Sequence, residues 1–148
     1  MIESKGDLAL KRDENCIFCR IVNKQAPSSV IYEDDAVMVF LDIRPLNIGH
    51  TLVIPKDHYV DIFDIPETLL SQIHTVSKQI ASAIKKATQA DGISIIQQNG
   101  KAAGRDIFHI HLHVVPRFEG QKLPLFSDLK EVERVKLDAM AEKIRQQL

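Results

Sequence analysis

The sequence has almost no net charge and no long apolar run. Lys and Arg number 19 and Asp and Glu number 20, so the formal net charge is −1. Without a basic excess, the electrostatic attraction behind nonspecific nucleic-acid binding is missing, and phosphate recognition must be local. The apolar runs are far shorter than the roughly 20 residues that span a bilayer, and the N-terminus lacks a secretory signal. Neither nucleic acid nor a membrane is therefore an expected partner.

Cysteine is also scarce, since the 148 residues contain only Cys16 and Cys19. Two cysteines cannot form a disulfide framework for a chain of this size, so a cytoplasmic location is expected. Their Cys-x-x-Cys spacing leaves metal binding or redox chemistry. A redox pair normally opens a helix after a strand of a thioredoxin-like unit, which the pattern here does not show. A zinc site on two thiolates needs two further ligands.

The composition and the apolar periodicity predict one domain of the α+β class. Apolar residues make up 45% and charged residues 26%, as in an ordinary globular chain. We expect a flexible leader at residues 1–14 and one folded domain at 15–148. The pattern predicts an antiparallel five-stranded sheet with two long helices. The expected strands are 30–32, 36–41, 51–54, 93–96 and 107–115, and the expected long helices are 67–90 and 128–148.

The most informative segment holds three histidines that alternate with aliphatic residues. Alternate side chains of a strand share a face, so His109, His111 and His113 are expected to project together. Packing alone does not explain three imidazoles on one face. One interpretation is a zinc site with an open position for water. The other is a histidine nucleophile toward phosphorus with a neighbouring proton donor. The loop at residues 100–104 favours the second, because small residues let backbone N–H groups approach a phosphate.

These residues resemble the histidine triad (HIT) superfamily of nucleotide hydrolases and transferases, whose signature is His-φ-His-φ-His-φ-φ. The match is most similar to the Hint-like, bacterial diadenosine-polyphosphate hydrolase branch, whose members are typically homodimers. Further segments resemble that family in the expected order: Cys16-Ile17-Phe18-Cys19-Arg20-Ile21, Tyr32-Glu33-Asp34-Asp35, Phe40-Leu41-Asp42-Ile43, Gly49-His50-Thr51-Leu52-Val53-Ile54-Pro55-Lys56 and Asn99-Gly100-Lys101-Ala102-Ala103-Gly104.

The resemblance implies a role for each matching position. His111 would attack the α-phosphorus and carry the nucleotidyl group, His113 would assist proton transfer or charge neutralisation, and His109 would be a buried orienting residue. Asp42 would accept hydrogen bonds from the ribose hydroxyls. The remaining nucleotide-binding residues would be Ile17, Phe18, Ile21, Phe40 and Ile43 around the base, with Asn99, Gly104 and Arg105 near the phosphate.

Two positions depart from the family pattern. Arg105 stands where many relatives have a glutamine, and a guanidinium can bind phosphate but cannot accept a hydrogen bond. Gln98 stands where an asparagine is usual, with Asn99 beside it. These changes bear on rate and substrate choice more than on reaction class.

A structural zinc ion is the expected cofactor, and the scheme requires no catalytic metal. Some HIT members resemble a ligand set of two Cys and two His, and the expected ligands here are Cys16, Cys19, His50 and His109. His58, in a loop, and His74, on a helix surface, have no comparable argument.

The expected function is hydrolysis or nucleotidyl transfer at the α-phosphate of a nucleoside phosphoramidate or dinucleoside polyphosphate, through a covalent intermediate on His111. One alternative is a metal-dependent phosphohydrolase with the triad histidines as ligands. The other is a purine-nucleotide-binding regulatory protein with little turnover.

Overall fold

The computed structural model describes residues 11–104 and 106–148. The elements in chain order are α1 (Ile17–Val22), β1 (Val30–Glu33), β2 (Val37–Leu41), β3 (Thr51–Pro55), α2 (Glu67–Thr88), β4 (Gly92–Ile96), β5 (Leu112–Arg117) and α3 (Arg134–Arg145). Short 3₁₀ turns occupy Lys101–Ala103 and Phe126–Asp128. No helix in these described ranges is both long and apolar enough to cross a membrane.

The five strands form one antiparallel sheet in the order β1-β2-β3-β5-β4, so the predicted α+β class and single five-stranded sheet are confirmed. β2 is buried on both faces, and its alternate residues separate two apolar layers. Met38 and Phe40 pack with α1, whereas Val37, Val39 and Leu41 pack with α2 and α3.

The histidine segment obeys the same alternation. Ile110, Leu112 and Val114 are fully buried on the side of α2 and α3. The rings of His109 and His111 lie on the opposite side against Phe18 of α1, with centroid separations of 5.7 and 5.2 Å. The fold therefore sets the histidines against the helix that carries the two cysteines.

Two predicted element boundaries are wrong. The last strand begins at Leu112 instead of residue 107, because β3 pairs with it only from Val53↔Leu112 onward. The last helix begins at Arg134 instead of residue 128, because the chain before it runs alongside the loop after β2, where Val132 N–H donates to the Ile43 carbonyl. The two longer helices differ in length, since α2 has 22 residues and α3 has 12.

The predicted leader, residues 1–14, falls partly outside the described residues, which begin at Lys11. The described part makes contacts with the loop after β3. Arg12 forms an ion pair of 2.8 Å with Asp57, and the Lys11 ammonium lies 4.1 Å from the centre of the Tyr59 ring.

Candidate active site

The hydrogen bond of His111 sets the position of its ring proton. His111 Nδ1 lies 2.7 Å from the carbonyl oxygen of His109. A carbonyl only accepts, so Nδ1 carries the hydrogen and the neutral ring has its lone pair on Nε2. Edge-to-face packing on Phe18, with the ring planes at 89°, supports the same ring orientation. His111 is therefore oriented to act as a nucleophile through Nε2.

His113 belongs to a hydrogen-bonded chain that begins at a backbone amide. Leu46 N–H donates to His50 Nδ1 at 2.9 Å, so the proton of His50 is on Nε2. His50 Nε2 lies 2.9 Å from His113 Nδ1 and donates to it, which leaves the proton of His113 on Nε2. The His113 ring lies beside His111, with 4.8 Å between ring centroids. This chain orients a donor N–H next to the candidate nucleophile.

Burial keeps the supporting histidines neutral. Desolvation, with a smaller effect from the neighbouring His111, lowers the pKa of His50 to about 4 and that of His113 to about 3. Desolvation also lowers the pKa of His109 to about 4. Near pH 7 these rings act through hydrogen-bond direction instead of positive charge.

An apolar cavity of about 240 Å³ lies beside the triad, between α1, the end of β2 and the start of α3. Phe18 connects it to the chemistry, because the same ring packs on His111. Six residues that the sequence assigned to nucleotide binding line this cavity: Ile17, Phe18, Ile21, Phe40, Asp42 and Ile43. Apolar walls with few polar groups are typical of small-molecule sites.

Asp42 is the carboxylate of this cavity. Burial, reinforced by the nearby Asp106, raises the pKa of Asp42 to about 6, against the effect of a hydrogen bond from Arg44 N–H at 2.9 Å. A buried carboxylate whose pKa is raised, in a largely apolar cavity, is costly for stability and is therefore a candidate for ligand recognition.

The small-residue loop follows β4, and its two ends differ in what they can contact. The Asn99 side chain pairs with Gln97 and accepts from Ile62 N–H at 2.8 Å, so it orders the loop. Gly104 has φ +95°, and a Cβ there would meet Gln98 Nε2 at 3.0 Å, so the tight turn requires glycine. Arg105 lies outside the described residues.

A second cluster lies behind the triad and contains Cys16, Cys19, His58 and His109. His109 Nε2 donates to the Pro55 carbonyl at 2.8 Å, so its lone pair is on Nδ1. That Nδ1 lies 3.5 Å from Cys16 Sγ and 3.6 Å from Cys19 Sγ, and His58 Nδ1 lies 3.3 Å from Cys19 Sγ. The four ligand atoms thus converge on one point.

The cluster has the dimensions and chemistry of a tetrahedral zinc site. Zn–S bonds of about 2.3 Å and Zn–N bonds of about 2.0–2.1 Å place neighbouring ligand atoms about 3.3–3.8 Å apart. Backbone N–H groups of Cys19 and Asp13 donate to the sulfur atoms of Cys16 and Cys19. Burial raises the pKa of the Cys19 thiol to about 11, so its thiolate requires a cation close by. These residues fit zinc.

The structure brings His58, and not the expected ligand His50, to the other three residues of the cluster. His50 immediately precedes β3, and its ring contacts His113 near the start of β5. The antiparallel register brings the other end of β3 to His109, and His58 follows that end after three residues. The order of the strands in the sheet does not reveal this placement, because it depends on the register of β3 against β5.

A larger cavity of about 620 Å³ lies between the loop after β2 and α3. It shares Leu41 and Asp42 with the smaller cavity, and no triad histidine lines either cavity. The smaller cavity is the better candidate for the reacting nucleoside because Phe18 lines it and packs on the His111 ring.

Several residues of the smaller cavity escaped the sequence analysis. Ile107 precedes the triad in the segment that was expected to be strand, and Ser28 follows the break after α1. Arg134 comes from α3, which the sequence pattern did not connect to the site. Only the packing of α3 beside β1 reveals these neighbours.

Comparisons with known proteins agree with this geometry. Residues 23–120 match the HIT domain. The fold is similar to a Hit-like protein involved in cell-cycle regulation from Bartonella henselae, with TM-score 0.85 and 39% identity over 92% of this chain and 98% of that one. A Zn-bound histidine triad family protein from Mycobacterium smegmatis has TM-score 0.81 and 41% identity over 90% and 93%.

Among curated proteins, the adenylylsulfatase HINT3 of Arabidopsis thaliana is 37% identical over 88% of this chain and 66% of its own length. The matched domain spans all five strands of the sheet, the loop after β4 and all three triad histidines. The chain therefore belongs to the HIT family.

Proposed function

We propose that this chain is a nucleotide hydrolase or nucleotidyl transferase that acts at the α-phosphate through a covalent intermediate on His111. The observation that carries the proposal is the hydrogen bond from His111 Nδ1 to the His109 carbonyl, which leaves the lone pair on Nε2 of a ring that packs on Phe18 of the nucleoside cavity. Neutral imidazole is nucleophilic near pH 7, and a covalent step divides one difficult displacement into two.

In the first step, His111 Nε2 attacks the α-phosphorus and a P–N bond forms as the bond to the leaving group breaks. The leaving group departs as an amine that takes up a proton or as a polyphosphate anion. In the second step, water attacks the same phosphorus, loses a proton, and releases a nucleoside monophosphate and free imidazole. His113 Nε2–H donates to a phosphate oxygen or to the leaving group, and His50 positions it.

The nucleoside would occupy the 240 Å³ cavity. Its apolar residues would hold the base, and Asp42 would accept the ribose hydroxyls. Backbone N–H groups near Gly104 would contact the phosphate, with Arg105 as a further candidate; Asn99 supports the loop instead of touching the ligand.

Phosphoramidates and dinucleoside polyphosphates both place a leaving group on the α-phosphorus of a nucleotide, so both suit this site. The adenylylsulfatase among the relatives is consistent with reaction at the α-phosphorus of a nucleotide. The nitrogens of the three triad histidines point to different partners, which does not favour the metal-dependent alternative.

Zinc would have a structural role. Cys16, Cys19, His58 and His109 would fill all four positions, tie α1 to the histidine segment and fix the His109 carbonyl that orients His111. The Zn-bound relative from Mycobacterium smegmatis supports this assignment.

We also propose a cytoplasmic homodimer. Neither cysteine forms a disulfide, which is consistent with a reducing compartment. β4 lies at the edge of the sheet with Ile95 about half exposed, and a second copy could extend the sheet there.

The test is mass spectrometry of enzyme mixed with an adenosine phosphoramidate and quenched during turnover. Fragmentation is expected to locate an adenylyl group on His111. His111→Ala is expected to abolish the adduct, whereas His74→Ala, which removes an exposed histidine on α2, is expected to retain it. An adduct that survives in His111→Ala would overturn the assignment.

A further inference from the structure

We propose that Arg134 makes the nucleoside cavity selective for bases with two adjacent acceptors, guanine and hypoxanthine, over adenine. The inference rests on the proposed function, since it places a base in the same cavity. It adds a residue from α3, outside the matched HIT domain, and narrows the substrate class to 6-oxopurine nucleotides.

The cavity contains few polar groups, so each has a large effect on what can bind. Its walls are mainly aliphatic and aromatic, and the polar side chains among its lining residues are Ser28, Asp42 and Arg134. Asp42 is assigned to the ribose. Arg134 is the cation among these lining residues, so we place the base edge against its guanidinium.

Hydrogen bonds hold this guanidinium in place. Arg134 Nη1 donates to Ser29 Oγ at 2.8 Å, and Ser29 Oγ donates to Asp138 Oδ1 at 2.7 Å. Ser29 is 2% exposed. A hydroxyl has one hydrogen, and this hydrogen is directed to Asp138, so Ser29 must accept from Arg134. The donor and acceptor in each of these hydrogen bonds are therefore fixed. The Arg134 side chain loses little further freedom when a ligand binds.

The chemistry of the guanidinium then determines which base edge fits. A guanidinium has five N–H donors and no acceptor, and the bond to Ser29 uses one N–H group. Guanine and hypoxanthine present the adjacent acceptors N7 and O6, which a guanidinium can bind with two hydrogen bonds. Adenine presents an N6 amino donor in place of O6, so one donor would face another donor. A good bidentate pair of this kind favours the right base by about tenfold or more.

The test is calorimetric binding of GMP, IMP and AMP, which need no turnover. We expect GMP and IMP to bind at least about tenfold more tightly than AMP. In Arg134→Met, the affinities for GMP and IMP should fall to about that for AMP, while the affinity for AMP should change less than about twofold. Arg134→Lys keeps the charge but not the planar pair of donors, so it should also lose the preference.

Lys136→Met is the matched control, because it removes a cation from the same helix at a residue that lines the larger cavity. It should retain the preference. Since Arg134 also links α3 to the residue before β1, thermal unfolding of each variant shows whether it folds. The wild-type preference tests the proposal even if Arg134→Met does not fold.

Three results would overturn the inference: equal affinity for all three nucleotides in the wild type, an unchanged preference in Arg134→Met, or tight GMP with IMP as weak as AMP. The last would mean that the guanine 2-amino edge is recognised instead. In each case, an adenylyl adduct on His111 would leave the proposed function intact, whereas failure of all three nucleotides to bind would overturn both.

Discussion

Asp42→Asn is expected to make the protein more stable at neutral pH while weakening its binding of ribonucleotides. Burial raises the pKa of Asp42 from 3.8 to about 6. The native state therefore holds a proton up to about pH 6, but the unfolded state releases it near pH 4. Because the unfolded state binds fewer protons between these values, stability falls as the pH rises from 4 to 6. Above pH 6, ionised Asp42 costs free energy in the folded state.

The size of the effect follows from the pKa difference. One pKa unit corresponds to about 1.36 kcal/mol, so the cost has an upper limit of about 3 kcal/mol. The side chain is 21% exposed, and water near its exposed oxygen reduces the cost, so we expect a gain of about 1–2 kcal/mol for Asp42→Asn at pH 7.5. Asn keeps an acceptor for Arg44 N–H, so the loop geometry is retained.

The measurement is urea unfolding of both proteins at pH 7.5 and 4.5. The advantage of Asp42→Asn should shrink at pH 4.5 to roughly a third of its value at pH 7.5, since the native carboxyl is then largely protonated. Asp35→Asn, at an exposed turn position, should show no gain at either pH. Asp42→Asn should also lose more affinity for AMP than for 2′-deoxy-AMP. A variant less stable than the wild type at pH 7.5, or a gain that does not depend on pH, would refute the reasoning.

Two further predictions concern the histidines outside the triad. His58→Ala and Cys16→Ser should each lower the zinc-to-protein ratio and the melting temperature. His50→Ala should leave the zinc content unchanged. Loss of zinc in His50→Ala alone would contradict the ligand set. His50→Ala should lower kcat by roughly a hundredfold with little change in AMP affinity, because His113 loses the partner that places its proton on Nε2. A variant with wild-type kcat would show that the His50–His113 hydrogen bond does not contribute to turnover.

The sequence predicted the sheet and much of the candidate site because local patterns determine them. The alternation of histidine with aliphatic residues placed Ile110, Leu112 and Val114 on the core side, and the structure confirms that placement. The periodicity of α2 was equally clear, since its apolar residues follow one helical face.

The features that were missed depend on register and on distant packing. His58 reaches the cysteines only because of the pairing between β3 and β5, and no residue near His58 signals it. Arg134 reaches the nucleoside cavity because α3 packs beside β1, which requires the tertiary structure. The predicted start of α3 was also wrong, because the Val132 N–H donates to the Ile43 carbonyl and Val132 lies outside the helix.

The central claim is that phosphorus is transferred first to His111 and then to water. The most direct measurement is the stereochemical course at an isotopically chiral α-phosphorothioate substrate, hydrolysed in labelled water. Two in-line displacements each invert the configuration, so the account predicts overall retention. Net inversion would mean that water attacks the substrate directly, and it would contradict the covalent intermediate.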